Sequence, residues 1–387
     1  MKKKIFAILC MLLIIVPTLC GVSYSDKTIY AQTNVLENDA KSSLLLDYDS
    51  NTIIYENNSK ARLPIASMVK LMTILLTYEA IDAHALTLDT MITTTENASK
   101  MGGSQVFIDP FVEYRAEDLL KSVVMASAND ASVALAEYIS GSESEFVNKM
   151  NQRAKELNMD NTLYVNCTGL PAPEQYSCAY DCAIILKEVM KHDHYHTLSN
   201  VWMDTLTHPS GRKTELVNTN KLVRYYKGCD GGKTGSTSEA GYCLSASAER
   251  DGFRLIAVVI GSKTGQDRFN NTTSLFNYGF ANYENKTILD CSKAILENHE
   301  VLQCKTKTTN IYASENYYGL SKKGDKTEYD ITYEIEQLKA PMNSGDKVGK
   351  LIISKQGNVV KEIDLIVKED LVKISYFDGL KQIASNW

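Results

Sequence analysis

The chain carries no surplus of positive charge. Across 387 residues, 41 Lys and Arg stand against 47 Asp and Glu, a formal net charge of −6. No clustered basic domain emerges, so the electrostatic footprint of a nucleic-acid-binding protein is missing and no nucleic-acid partner is expected. Paired C-x-x-C knuckles are also absent. The cysteines beyond the first thirty residues are Cys167, Cys178, Cys182, Cys229, Cys243, Cys291 and Cys304. Their odd number and their spacing indicate neither a disulfide framework nor a zinc site. Cys178 and Cys182, four apart in a helical-looking stretch, read as small buried apolar residues. Hydrophobic runs long enough to span a bilayer are lacking as well, since the apolar run over residues 5–16 is short for that purpose.

What the first residues do contain is Lys2, Lys3 and Lys4, then that apolar run, then Pro17 and small or polar residues. This is the order of a secretory signal peptide, with Ser25 or Ala31 as its last residue, so residues 1–31 are set apart and an extracytoplasmic, secreted location is expected. A lipoprotein reading of Cys20-Gly21 meets the bulky Leu19 where a small residue is needed. Loss of the leader takes the formal charge from −6 to −9, because Lys2 to Lys4 leave without a matching acid. The rest, 44% hydrophobic and 23% charged overall, is ordinary globular composition with room for two or three domains.

Residues 43–56 read as two strands joined by Asp49-Ser50-Asn51, a hairpin leading towards Pro64. Ser67 then lies near a helix start, with Lys70, Leu71, Met72, Ile74, Leu75 and Leu76 after it. Helices are expected from about residue 116, over 131–138, over 144–157 and over 178–191, with a Gly/Pro loop at 166–173. His192, His194 and His196, among Lys191, Asp193 and Tyr195, read as a polar loop and not as metal ligands. Residues 240–248 and 253–260 are strand-like, the second by its β-branched content. Antiparallel strands packed on helices account for this order, an α+β domain over about 32–283. Alternating segments at 327–335, 347–354 and 359–367 describe a small all-β domain over 284–373. The segment 374–387 has near-helical apolar spacing, which suits a peripheral membrane contact or a helix folded back on the domain equally.

Ser67 and Lys70, three residues apart, share a helix face and can place an amine beside a hydroxyl. Alone, the pair describes a capping serine with a solvated lysine just as well. Two further motifs follow in order: Ser127-Ala128-Asn129 on a connection between helices, and Lys233-Thr234-Gly235 beside a strand. A second Lys-Thr-Gly at Lys263-Thr264-Gly265 follows the buried strand and reads as a turn.

The three motifs in this order resemble the S-x-x-K, S-x-N and K-T-G set of the penicillin-recognising serine enzymes. Leu63-Pro64-Ile65-Ala66-Ser67-Met68-Val69-Lys70, Ala134-Leu135-Ala136-Glu137, Asn166 with Thr168-Gly169-Leu170, and Thr237-Ser238-Glu239-Ala240-Gly241-Tyr242 make the chain similar to the low-molecular-mass penicillin-binding proteins, the serine-type D-alanyl-D-alanine carboxypeptidase branch. The resemblance covers about residues 40–370, and the β-rich C-terminal part is similar to that branch's second domain. Cys167 departs from the pattern, which usually has proline there.

The resemblance implies that Ser67 is the nucleophile, Lys70 the base and Ser127 the proton relay to the leaving amine. It places Asn129 on the Lys70 side chain or on the substrate amide. The N–H groups of Ser67 and Ser236 form the oxyanion hole, with Gly235 beside them. Lys233, Thr234 and Arg268 suit a substrate carboxylate, although Arg268 reads equally as a surface arginine. A serine hydroxyl needs a base within hydrogen-bond reach, and Lys70 serves only when unprotonated; burial and the nearby Lys233 both favour that state. The implied substrate is a peptidoglycan stem peptide, with β-lactams as covalent inhibitors and no metal or organic cofactor. A β-lactamase shares the motifs but needs a deacylating group such as the glutamate of an E-x-x-L-N loop, which Glu174-Gln175-Tyr176-Ser177-Cys178 does not match. An inactive wall-binding protein would have a broken motif, and none is broken.

Overall fold

A computed structural model describes residues 36, 38–326 and 328–375. The expected leader and the C-terminal segment from 376 onward lie outside the described residues, as does Thr327.

The hairpin is β1 (Ser42–Asp47) with β2 (Ile53–Asn57). After a 3-10 turn, Ala66–Val69, come α1 (Lys70–Asp82), α2 (Ala116–Ala126), α3 (Asn129–Ser140), α4 (Glu143–Glu156), α5 (Ala179–Val189) and α6 (Asp193–Ser199). Three long strands follow, β3 (Cys229–Thr237), β4 (Gly241–Arg250) and β5 (Phe253–Ser262), then α7 (Gly265–Asn282). They assemble into one antiparallel sheet of order β2-β1-β5-β4-β3, with β3 at an edge.

The near-continuous apolar text of β1 and β5 follows from their position, because a strand covered on both faces does not alternate. Leu44, Leu46, Ile256, Val258 and Ile260 enter the core shared with Ala183 and Leu186 of α5. Leu45 and Leu255 point the other way, against Gly279 of α7, where a Cβ would stand 2.5 Å from Leu255 Cδ1. Helix α1 is buried from Lys70 through Tyr78 without interruption. A helix covered all round belongs to the centre of its layer, and that position puts its first residue, Lys70, out of reach of water.

Two expectations are corrected here. Residues 193–199 form a helix and not a polar loop: Tyr78 hydroxyl meets His194 Nδ1 at 3.3 Å, and His194 Nε2 meets Glu117 Oε1 at 3.0 Å. Lys263-Thr264-Gly265 opens an 18-residue helix and not a turn. Thr264 Oγ1 accepts from the Asp267 amide at 3.1 Å and donates to Asp267 Oδ2 at 2.7 Å, which satisfies a free amide of the first turn.

The C-terminal part has β6 (Tyr283–Leu289), β7 (Ala294–Glu300), β8 (Thr308–Ala313), β9 (Tyr317–Lys322), β10 (Tyr329–Ile335), β11 (Lys347–Lys355) and β12 (Asn358–Val367). β6 pairs with β9, and the others form a sheet of order β7-β8-β12-β11-β10 with its own apolar core around Ile311, Leu351, Ile353, Leu365 and Val367. Asn285 of β6 donates to Asp49 Oδ2 at 2.7 Å, which joins this part to the β1–β2 turn. All seven described cysteines are free thiols.

Candidate active site

The chain enters the site through Ala66, whose φ of 47° precedes the 3-10 turn carrying Ser67. One turn on, Lys70 Nζ donates to Ser67 Oγ at 3.0 Å and to the Thr168 carbonyl at 2.5 Å. Lys70 is fully buried. Burial pushes its ammonium down to about 7, against the upward pull of Cys167 and Asp130, so a large fraction is neutral near pH 7.

Ser127 ends α2 in the left-handed region, at φ 61°, and Ala128 begins the return into α3. This sharp reversal aims Ser127 Oγ at Lys233 Nζ, which donates to it at 2.7 Å and to the Thr234 carbonyl at 3.0 Å. Lys233 is buried, and its amine lies well below the usual lysine range, first from burial and then from the cations of Lys70 and Arg268. Of the two causes expected to hold Lys70 neutral, burial is the dominant one; the repulsion between the amines is expressed at Lys233.

Strand β3 runs along the Ser67 turn. A Cβ on Gly235 would stand 2.5 Å from the Ile65 carbonyl and 3.0 Å from the Ser67 amide, so only glycine lets the strand approach this closely. Ser236, the next residue, is exposed. Arg268 of α7 is half-buried beside this strand, with Nη1 donating to the Gly235 carbonyl at 3.3 Å and its Nε buried without a partner among the described residues. Arg268 therefore packs against the strand that carries Gly235.

Asn129 departs from one of its expected contacts. Its Nδ2 donates to the Gly102 carbonyl at 2.6 Å, and its Oδ1 is buried with no partner among the described residues. The contact that holds Lys70 comes from the Thr168 carbonyl. The loop around it is itself tied down: Asn166 Oδ1 accepts from the Thr168 and Gly169 amides at 3.1 and 2.7 Å, and the Cys167 amide donates to Glu143 Oε1 at 3.1 Å. Thr73 Oγ1 donates to the Cys167 carbonyl at 2.7 Å. Sequence reasoning gave none of these residues a role. A backbone carbonyl has no letter of its own; the only signal was the Asn166, Thr168, Gly169 run. Glu174 is exposed on the far end of this loop and is not a carboxylate buried beside Ser67.

A hydroxyl beside a partly neutral buried amine, a second hydroxyl beside a second amine, and amides at a strand edge together suit acyl transfer through a serine ester. Comparison with known proteins agrees. The D-alanyl-D-alanine carboxypeptidase family model matches residues 28–264, and the model for the penicillin-binding protein 5 C-terminal domain matches residues 283–373. D-alanyl-D-alanine carboxypeptidase DacF of Bacillus subtilis is 40% identical over 359 residues, which cover 92% of this chain and 92% of that protein. D-alanyl-D-alanine carboxypeptidase DacC of Escherichia coli is 32% identical over 352 residues, covering 88% and 86%. Penicillin-binding protein 5 from Haemophilus influenzae is similar in structure, with a TM-score of 0.71 at 31% identity over 86% of this chain and 98% of that one. Penicillin-binding protein D2 from Listeria monocytogenes, solved in its ampicillin-bound form, gives 0.57 at 30% identity over 63% and 99%. The chain belongs to the D-alanyl-D-alanine carboxypeptidase family of low-molecular-mass penicillin-binding proteins.

Proposed function

We propose that this chain removes the terminal D-alanine from peptidoglycan stem peptides, with Ser67 as the acylated residue. The observation that carries the reading is the 3.0 Å bond between Ser67 Oγ and the amine of a fully buried Lys70. Neutral Lys70 takes the hydroxyl proton as Ser67 Oγ attacks the carbonyl carbon of the penultimate D-Ala. The oxygen of the tetrahedral intermediate lies on the amides of Ser67 and Ser236; removal of one such donor typically costs on the order of 100-fold or more in rate. Ser127, hydrogen-bonded to Lys233, passes a proton to the leaving amine, and the C–N bond breaks to release D-Ala. Thr234 and Arg268 bind the substrate's terminal carboxylate, and Asn129 Oδ1 accepts from the substrate amide. Water then hydrolyses the ester. A β-lactam acylates Ser67 by the same attack.

We infer a location outside the cytoplasmic membrane, where this polymer lies; membership of this family supports that reading. We further assign residues 32–283 to catalysis, 284–373 to a β-rich accessory domain and 374–387 to peripheral membrane contact. No helix among the described residues is long and apolar enough to cross a membrane.

Ser67→Ala is expected to abolish both D-Ala release from a pentapeptide and covalent labelling by penicillin; retained release would sink the assignment. Intact-protein mass spectrometry separates the carboxypeptidase from a β-lactamase, with a long-lived penicilloyl adduct expected and rapid turnover opposing it.

A further inference from the structure

A cavity of about 590 Å³ lies between the β1–β2 turn and the C-terminal domain, a size that suits a bound ligand. Ser50, Asn51 and Thr52 of the turn form one wall, and Tyr317, Tyr318 and Tyr329 form the other. Asp49 and Glu315 contribute two carboxylates, and Lys355 and Lys361 two ammonium groups. Glu315 is paired with Lys361 at 2.9 Å, while Lys355 Nζ lies 5.2 Å over the Tyr329 ring. The lining therefore has no excess of either sign, and neither an anion nor a cation is selected by the local field. Hydroxyls, amides and aromatic rings are what it presents.

The wall is held in shape. Tyr329 meets Tyr317 edge to face at 6.2 Å and lies against Gly319, where a Cβ would stand 2.6 Å from its hydroxyl oxygen. Asn285 bridges to Asp49, fixing the turn against the C-terminal domain. Rings pack on the C–H faces of a sugar while amides and hydroxyls meet its O–H groups, and a tyrosine offers both in one side chain.

The cavity is remote from the reacting atoms. Lys233 lies in register with Ser245, Val258 and Leu44 across the sheet, and Asp47 is three residues further along β1. Three strand-to-strand steps and three residues of rise put Asp47 about 17 Å from Lys233, with the turn beyond it. A stem peptide at Ser67 does not fill this cleft, whereas the polymer that carries stem peptides extends past both places.

We propose that this cleft is a second, non-catalytic binding site for a neutral, polyhydroxylated saccharide, the glycan strand of the wall polymer. The choice of glycan rests on the carboxypeptidase reading above. Its consequence is that the C-terminal domain, with the hairpin turn, holds the polymer while Ser67 works on its side branches.

The test uses the full chain with two variants, Tyr318→Ala to remove a ring and Val360→Trp to fill the cleft. Val360 lines the cavity and is 43% exposed, so the larger side chain has room to enter it. Calorimetric titration with neutral oligosaccharides of N-acetylglucosamine should show saturable binding, weakened about tenfold or more by either variant. On glycan-linked pentapeptide both variants should raise KM with kcat unchanged, and on free pentapeptide both should match the wild type, which also checks their folding. No binding of the neutral oligosaccharide by the wild type, or binding by both variants equal to the wild type's, overturns the proposal. So does binding of a polyphosphate polymer in place of glycan. Failure to cleave free pentapeptide would instead overturn the carboxypeptidase reading, while the glycan titration is read independently.

Discussion

Lys70 has a protonation state that burial sets and that stability must accommodate. Its amine titrates at about 7 in the folded protein against an ordinary 10.5. Between those values the unfolded chain binds the extra proton, so folding becomes more favourable as pH rises from about 7 towards 10.5. Lys70→Met should abolish acylation and yet be about 1–3 kcal/mol more stable at pH 7, the relief being partly offset by the unpaired Thr168 carbonyl. Urea unfolding at pH 7 and near pH 10 tests this, because the advantage must shrink at the higher pH. In the wild type, kcat/KM for acylation should fall about tenfold per unit below pH 7 as Lys70 is protonated. Ser67, Lys70, Ser127 and Lys233 were legible as letters at fixed spacing. The Thr168 carbonyl and the Gly102 partner of Asn129 were not, since main-chain groups meet only after the loops have folded.

Elements explain why one string of letters has two outcomes. Lys233-Thr234-Gly235 lies inside β3, paired with Ser245, Leu244 and Cys243, whereas Lys263-Thr264-Gly265 caps α7. Strand pairing decides the first, and the local Thr264–Asp267 bonds decide the second. The polar run Gln266, Asn270, Asn271, Thr272 and Thr273 hid the apolar face of α7 from a reading by periodicity. At the end of α2, Ser127 bears a backbone cost that places its hydroxyl, since a left-handed residue with a Cβ loses roughly 1–2 kcal/mol. Ser127→Gly should therefore be about 1 kcal/mol more stable than Ser127→Ala, with acylation by penicillin slowed in both. Equal stability of the two variants would remove backbone strain from this account.

Among the described residues, separate apolar cores lie around α1, α2 and α3 and within the β7–β12 sheet. Among those residues the two parts share no strand, and each sheet packs its own core. Calorimetry of the full chain should accordingly show two unfolding transitions, and acylation by penicillin should raise only the one that belongs to the catalytic core. A single transition shifted as a whole would mean that the domains unfold together.

The order of the three motifs, the apolar text of β1 and β5 and the alternating strands after residue 283 were determined by the sequence itself, because spacing and periodicity are local properties of the chain. The lowered pKa of Lys70, the grip of Thr168 on it, the place of Arg268 against Gly235 and the tyrosine-lined cleft were decided only by the tertiary structure. Each depends on which distant segments close around a side chain, and burial is a collective property that no short stretch carries.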